Sequence, residues 1–249
     1  MTIADINILA RFLTNTDTSS YTAAQLLIAV NKAYERITGR IIAETAGGTW
    51  PYGDKNYTAF PTFTTTLVNS QAEYDIDALF LTGTYPATYE PLMILGVEVL
   101  DNTSIWHPLT PISLQQIRET GIAQVEYLKT DGRPIEYEKR ENLLVLYPAP
   151  DNGVSVTLSG GLKIFYLRTA DAFTSAQVTT GTKVPGFPSP WHEILAYEAA
   201  YMYAVTRQLP NANQLKADVM QKEKELLSFI SRRNQDDRPI ITMKHEPHF

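Results

Sequence analysis

The stretch Val184-Pro185-Gly186-Phe187-Pro188-Ser189-Pro190-Trp191-His192-Glu193-Ile194-Leu195-Ala196-Tyr197-Glu198-Ala199-Ala200-Tyr201-Met202-Tyr203-Ala204-Val205 decides the fold, because the texture of the chain changes within it. Its opening is dense in proline and glycine, which break both helix and strand. Beyond Pro190 the pattern turns helical. Ser189 is positioned as an N-cap and Pro190 falls in the first turn, where its missing N–H costs nothing. Ile194, Leu195, Ala199, Met202, Tyr203 and Val205 then supply a wide apolar face. Leu209-Pro210-Asn211 closes this helix. A second, from about Asn213 to Arg232, carries Leu215, Val219, Met220, Leu226, Leu227 and Ile230 at spacings of three and four.

Working back to the other end of the chain, helical periodicity recurs. Ile6, Ile8, Leu9, Phe12 and Leu13 mark a helix over Asp5 to Leu13, and the polar run Thr14 to Ser20 breaks it. Thr22 with Gln25 three residues later predicts a capping box. Leu26, Leu27, Val30, Ala33, Tyr34 and Ile37 form the stripe of the helix that follows, which ends between Gly39 and Gly47-Gly48.

Between these helical ends, from Thr49 onward, prolines, glycines, threonines and tyrosines become frequent and apolar residues alternate. Tyr74-Asp75-Ile76 is short and extended. Leu92 to Leu100 reads as buried strand with an irregularity at Gly96, and Ile112 to Thr120 as a short helix. Arg133 to Lys139 and Asn142 to Tyr147 form a hairpin, with Leu143, Val145 and Tyr147 facing one way. Pro148 to Gly153 turns the chain. Val154, Val156 and Leu158 alternate as a strand, and Gly160-Gly161 marks a bulge or bend before Leu162 to Leu167.

The expected fold is therefore α+β: a discontinuous helical domain built from both chain ends, with an inserted antiparallel β-rich domain and an extended C-terminal arm. The boundaries are residues 1–48 and 190–232 for the helical parts, 49–189 for the insertion and 233–249 for the arm. The arm has neither helical nor alternating period. It is read either as a terminus left in water or as a segment ordered on a partner, with Ile240, Ile241 and Phe249 as apolar anchors. Ordering about 17 residues costs roughly 1–2 kcal/mol each, so the second reading requires substantial burial at the destination.

Composition narrows the chemistry. None of the 249 residues is cysteine, which excludes disulfides, thiolate catalysis and cysteine-held metal centres. The net charge is −6, a poor basis for gripping nucleic-acid phosphates. The acidity is concentrated before Trp191, with 13 Lys+Arg against 19 Asp+Glu; residues 191–249 hold 8 of each. No apolar run approaches the roughly 18–20 residues of a membrane helix. Met1-Thr2-Ile3-Ala4-Asp5 lacks the basic region of a secretory signal.

Catalytic motifs are missing. There is no Gly-rich phosphate loop and no G-x-S-x-G elbow. His192-Glu193 opens like a zinc-protease helix, but the position of the second ligand is Ala196. His107 stands alone, and His245 and His248 are three apart in a stretch without helical pattern. Glu73, Asp75 and Asp77 alternate, placing three carboxylates on one strand face, readable as an acid–base pair, a cation site or a solvated surface. The 14 tyrosines could stack on bases or sugars, but basic residues are not interleaved with them, and packing or subunit contact is the better account. No residue is assigned as catalytic, cofactor-binding or metal-ligating, and no cofactor is expected.

In order of features the chain resembles the head-to-tail connector, or adaptor, proteins of tailed bacteriophages. The residues that carry this are Tyr21-Thr22-Ala23-Ala24-Gln25-Leu26-Leu27 with Val30-Asn31-Lys32-Ala33-Tyr34-Glu35-Arg36-Ile37, then Asn142-Leu143-Leu144-Val145-Leu146-Tyr147-Pro148-Ala149-Pro150-Asp151, Pro185 to Leu195 of the stretch quoted above, and Ala199-Ala200-Tyr201-Met202-Tyr203-Ala204. The resemblance covers nearly the whole chain. It implies a structural virion protein of the neck, not an enzyme, assembled in the host cytoplasm. Such a protein forms a ring of identical subunits, twelve in number, between the portal protein and a downstream tail or neck protein, and double-stranded DNA passes through its lumen without specific binding.

In such a ring the helices form the wall, the β insertion meets the next tail component and the C-terminal arm runs into the portal. Arg232, Arg233, Arg238, Ile240, Ile241 and Phe249 are then the expected portal-interface residues. Tyr197, Tyr201 and Tyr203 are expected at the subunit interface, since a closed ring needs broad heterologous contacts. Two competing readings are another neck or tail component, such as a tail terminator or tube-related protein, and a carbohydrate-binding or carbohydrate-hydrolysing protein using the acidic strand face and aromatic loops.

Overall fold

The computed structural model describes residues 1–45, 52–57, 61–82, 91–113 and 130–233. In chain order its elements are α1 (Ile3–Thr14), α2 (Ala23–Thr45), β1 (Thr62–Thr65), β2 (Glu73–Asp75), α3 (Ile76–Thr82), β3 (Pro91–Leu100), β4 (Trp106–Pro108), β5 (Thr110–Pro111), β6 (Glu136–Arg140), β7 (Leu143–Tyr147), β8 (Leu162–Arg168), α4 (Gln177–Thr180), a 3-10 turn (Ser189–Trp191), α5 (Glu193–Thr206) and α6 (Ala212–Arg233). The class is α+β, as expected. The chain divides into two compact units: Met1–Thr58 with Ala170–Phe249, and Ala59–Thr169.

In the first unit, local chemistry sets where the helices begin. The Thr2 hydroxyl accepts from the Asp5 N–H at 3.3 Å, while the Asp5 carboxylate accepts from the Thr2 N–H at 2.9 Å. The capping box predicted at Thr22 is present: its N–H donates to Gln25 Oε1 at 3.1 Å and the Gln25 N–H donates to Thr22 Oγ1 at 3.4 Å. Ser189, by contrast, caps nothing. Residues 189–191 form a 3-10 turn, closed by bonds from Trp191 N to Pro188 O and from His192 N to Ser189 O, each 3.2 Å, and α5 starts at Glu193. The turn satisfies those N–H groups through backbone carbonyls, which leaves the serine hydroxyl no capping role.

α5 is the central helix of this unit, and its burial explains why the apolar residues of the quoted stretch spread so far around the helix. It packs against α1, α2 and α6. Ile194, Leu195, Ala196, Ala199, Ala200 and Ala204 are all fully buried. The alanines let neighbouring helices approach closely, while Ile6 of α1, Leu26, Val30 and Tyr34 of α2 and Leu226 of α6 fill the same core. Residues 52–57 and 170–188 lie with these helices as well. Tyr52, Phe173 and Phe187 pack on their core.

The second unit holds two four-stranded sheets, ordered β1-β8-β3-β4 and β2-β7-β6-β5. All pairs are antiparallel except β5 with β6, which run parallel. The hairpin predicted near residue 140 is β6–β7, in which Arg140 faces Leu143 across a two-residue loop. That loop places Glu141 at φ 49, the left-handed conformation tight hairpins demand. Leu144 and Leu146 point into the core with Phe63, Val97, Leu162 and Ile164. The irregularity expected at Gly96 is a register shift between Ile94 and Gly96 against β8.

The strand expected at Val154 to Leu158 does not form; only Val156 makes a bridge, to Asp101, and Val154 is exposed. The cause lies in Asp151. Its carboxylate accepts from the N–H groups of Val154 at 2.9 Å and Ser155 at 3.0 Å and from the Ser155 hydroxyl, drawing those donors away from any ladder. The bend at Gly160-Gly161 is present, with Gly160 at φ 64 and Gly161 so close to Thr157 that a Cβ would sit 1.6 Å from its carbonyl oxygen. The helix expected over Ile112 to Thr120 lies, beyond Ser113, outside the described residues.

Candidate functional site

The candidate site is a groove of about 690 Å³ between α2, α5 and α6. Its floor is charged. Arg36 Nη2 lies 2.6 Å from Glu198 Oε2 and 2.7 Å from Glu223 Oε1, and Arg40 Nη1 lies 2.8 Å from Glu223 Oε2. The two carboxylates are nearly inaccessible, at 4% and 5% exposure, whereas the arginine side chains reach solvent. Burial pushes the Glu198 carboxyl up from its ordinary range, against the pull of Arg36. α2 places Arg36 and Arg40 one turn apart on one face, so both arginines bridge to α6, and Arg36 also reaches α5.

Above this floor the lining is mixed. Tyr201, Val219, Met220 and Leu227 supply apolar surface, with Lys216 and Lys224 on α6 and Glu44 at the end of α2. Lys222 pairs with Glu193 and holds its ammonium 4.7 Å from the centre of the Tyr197 ring. The three tyrosines expected at a subunit interface are thus separated by the fold. Tyr197 and Tyr201 face the α6 side of α5. Tyr203 turns to Tyr21 before α2, stacking on it with ring centres 4.5 Å apart and planes inclined at 30°. Burial pushes the Tyr21 phenol up to about 12, and its hydroxyl donates to the Ala199 carbonyl at 3.0 Å.

Of the residues expected to meet a portal, Arg232 is exposed in the last turn of α6, and Arg233 ends that helix. Arg238, Ile240, Ile241 and Phe249 lie outside the described residues, as do His245 and His248.

The acidic strand face is not one. β2 ends at Asp75, whose carboxylate accepts from the Ala78 N–H at 3.0 Å and so caps α3, and Asp77 belongs to that helix. Asn142 Nδ2 donates to both, at 3.1 Å to Asp75 and 3.0 Å to Asp77. Asp75 and Asp77 are thus engaged by local structure and only Glu73 and Asp75 belong to the strand, so the three carboxylates do not form the single strand face expected from the sequence. His192 is likewise occupied: it is 3% exposed, with Nε2 2.8 Å from the Phe187 carbonyl and Nδ1 3.0 Å from the Met1 amino nitrogen. Among the described residues no group of three or more His, Asp or Glu side chains could hold a metal ion. No helix among them is long and apolar enough to cross a membrane.

Sequence reasoning did not find the Arg36–Glu198–Glu223–Arg40 network. One signal was available, since Glu198 sits in the middle of an apolar helix and a buried carboxylate needs a cation. Nothing in the sequence said which cation.

Comparison with known proteins agrees with the resemblance in its coarse form. The family model described as SU10 adaptor protein matches residues 1–243. No curated protein matches the chain.

Proposed function

Because this chain belongs to the SU10 adaptor protein family, an adaptor-type family of bacteriophage, we propose that it is a head-to-tail connector, a ring of identical subunits seated between portal and tail. The family match over nearly the full length is the observation that carries the reading. It makes the protein a structural phage adaptor that associates with other virion proteins; the ring, its place in the neck and the DNA-filled lumen are the finer proposal. In that proposal the ring has twelve subunits, the helical unit forms its wall and the second unit meets the downstream tail or neck protein.

The physical role follows from charge. A conduit for DNA must let a polyanion slide, and every Lys or Arg contact to phosphate adds salt-dependent affinity. A chain of net charge −6 suits a lumen that does not hold its cargo. The work proposed is mechanical joining rather than bond-making chemistry. Residues 233–249 are proposed as the arm that docks in the portal, with Ile240, Ile241 and Phe249 as anchors and Arg232, Arg233 and Arg238 pairing with portal carboxylates.

Electron microscopy of the purified chain mixed with its portal is the direct test. Rings stacked coaxially on the portal are expected, and their absence refutes the proposal. Deleting residues 233–249 should leave the circular dichroism spectrum of a folded protein but abolish co-sedimentation with portal; unimpaired joining refutes the arm.

A further inference from the structure

We propose that the exposed stripe of α1 formed by Asp5, Ile8 and Phe12 seats in the groove between α2, α5 and α6 of a second copy of this chain. The proposal rests on the ring reading and names the contact from which the ring would be built.

α1 has two apolar faces, and one is uncovered. Ile3, Ile6 and Ala10 are fully buried, whereas Ile8 is 65% and Phe12 80% exposed. Ile8 and Phe12 are one turn apart and Asp5 is three residues before Ile8, so the three make one stripe along the helix, a carboxylate followed by two large apolar side chains. A lone exposed leucine needs no explanation, but a phenylalanine and an isoleucine stacked on one helical face form the kind of aromatic anchor that interfaces use.

The groove is partly apolar, and its lining carries a charge opposite to that of the stripe. It is concave where the stripe is convex, and Met220, on its lining, is 60% exposed, an adaptable side chain suited to receive an aromatic ring. Its lining holds the cations Arg36, Arg40, Lys216 and Lys224 against the anions Glu44, Glu198 and Glu223. Glu198 and Glu223 are buried under the arginines, so Lys216 and Lys224 stand exposed with Glu44 as the one exposed anion of the lining, a positive balance on a chain that is acidic overall. The stripe begins with Asp5, whose carboxylate closes the α1 cap by accepting from the Thr2 N–H and hydroxyl through one oxygen, and whose negative charge, at an exposed position, is opposite to that balance.

The two surfaces belong to the same unit but to different elements, and no α1 residue lines the groove. Stripe-into-groove contact is therefore heterologous. Among the described residues each copy leaves one stripe and one groove uncovered, which is the condition for propagation and closure into a ring. A symmetric stripe-on-stripe dimer would leave every groove unfilled.

The absence of cysteine makes the test clean. One preparation of the full chain carries Phe12→Cys, another Met220→Cys, and the two are oxidised separately and as a mixture. The expected result is a disulfide between the two variants in the mixture and none within either preparation alone. A Phe12→Cys disulfide with itself means a symmetric contact and overturns the proposal. Rings visible by electron microscopy without the mixed disulfide overturn the stripe-into-groove contact while leaving the ring reading intact; no higher oligomer under any condition overturns both. Protection of the Phe12→Cys thiol only after another virion protein is added assigns the stripe to that partner and also overturns the proposal. Phe12→Asp, exposed and so compatible with folding, should weaken self-association by about tenfold or more; unchanged association counts against the contact.

Discussion

The Tyr34 hydroxyl, buried on α2, donates to the Asp54 carboxylate twenty residues further along the chain, and the same oxygen accepts the Gly186 N–H at 2.7 Å. Asp54 in turn accepts from the N–H groups of Asn56 at 2.9 Å and Asp171 at 3.1 Å. One phenol and one carboxylate thus tie three separate loop segments to the second helix. Burial, with the Asp54 charge beside it, pushes the Tyr34 phenol far up, so it serves as a neutral donor throughout the accessible pH range.

Tyr34→Phe should therefore destabilise the chain by about 1–3 kcal/mol, because the ring still fills its place in the core but the buried Gly186 N–H loses its acceptor. The midpoint of urea unfolding measures this. A shift below a few tenths of a kcal/mol would mean that water replaces the phenol.

Gly186→Ala tests the same junction sterically. A Cβ there would lie 1.6 Å from Asp54 Oδ1, so the carboxylate would have to leave its partners. A loss of about 2 kcal/mol or more is expected. Gly53→Ala is the matched control, since nothing lies within 4 Å of its added methyl and its backbone is not left-handed; it should be neutral or stabilising by roughly 0.5 kcal/mol.

Removing Arg36 leaves Glu198 and Glu223 buried with Arg40 as the remaining cation of the network, bonded to Glu223. Arg36→Ala should cost about 1–3 kcal/mol near neutral pH, a figure reduced from that of a fully buried pair because 40% of the arginine side chain is exposed. The loss should shrink as pH falls, because protonated carboxyls no longer need the cation. Unfolding midpoints of wild type and variant at several pH values would show the two curves converging on the acid side; parallel curves would refute the assignment.

His192 provides a pH dependence of known sign. Burial holds its imidazole below the ordinary range despite the bond to the Phe187 carbonyl. The unfolded chain then binds the proton more readily than the folded one, so stability is intact above about pH 6.5 and falls as pH drops through the window beneath it, until the folded-state value is passed. His192→Gln should flatten this segment of the stability–pH profile. A variant profile that keeps the wild-type slope would place the titration elsewhere.

How much of this was legible beforehand differs by element. Amphipathic stripes and capping residues act within a few positions of one another, and so the helices and the Thr22–Gln25 box could be read directly. The strand expected at Val154 failed for an equally local reason, since alternation could not reveal that Asp151 would capture the N–H groups a strand needs. Ser189 shows the same limit, because proline and serine fit both a helix cap and a 3-10 turn.

What the amino-acid order determined alone is the alternation of textures: helical periods at both ends, β periods between them, an acidic balance and no cysteine. These depend on neighbours three or four residues apart and on composition, which are properties of a line. What only the folded chain decided is which distant groups meet. Arg36 finding Glu198 and Glu223, Tyr34 finding Asp54 and Gly186, and Tyr203 turning from its sister tyrosines to Tyr21 all join residues far apart in sequence. A buried charge or hydroxyl must find a partner, but the partner is chosen by how the helices pack, and periodicity carries no record of that choice.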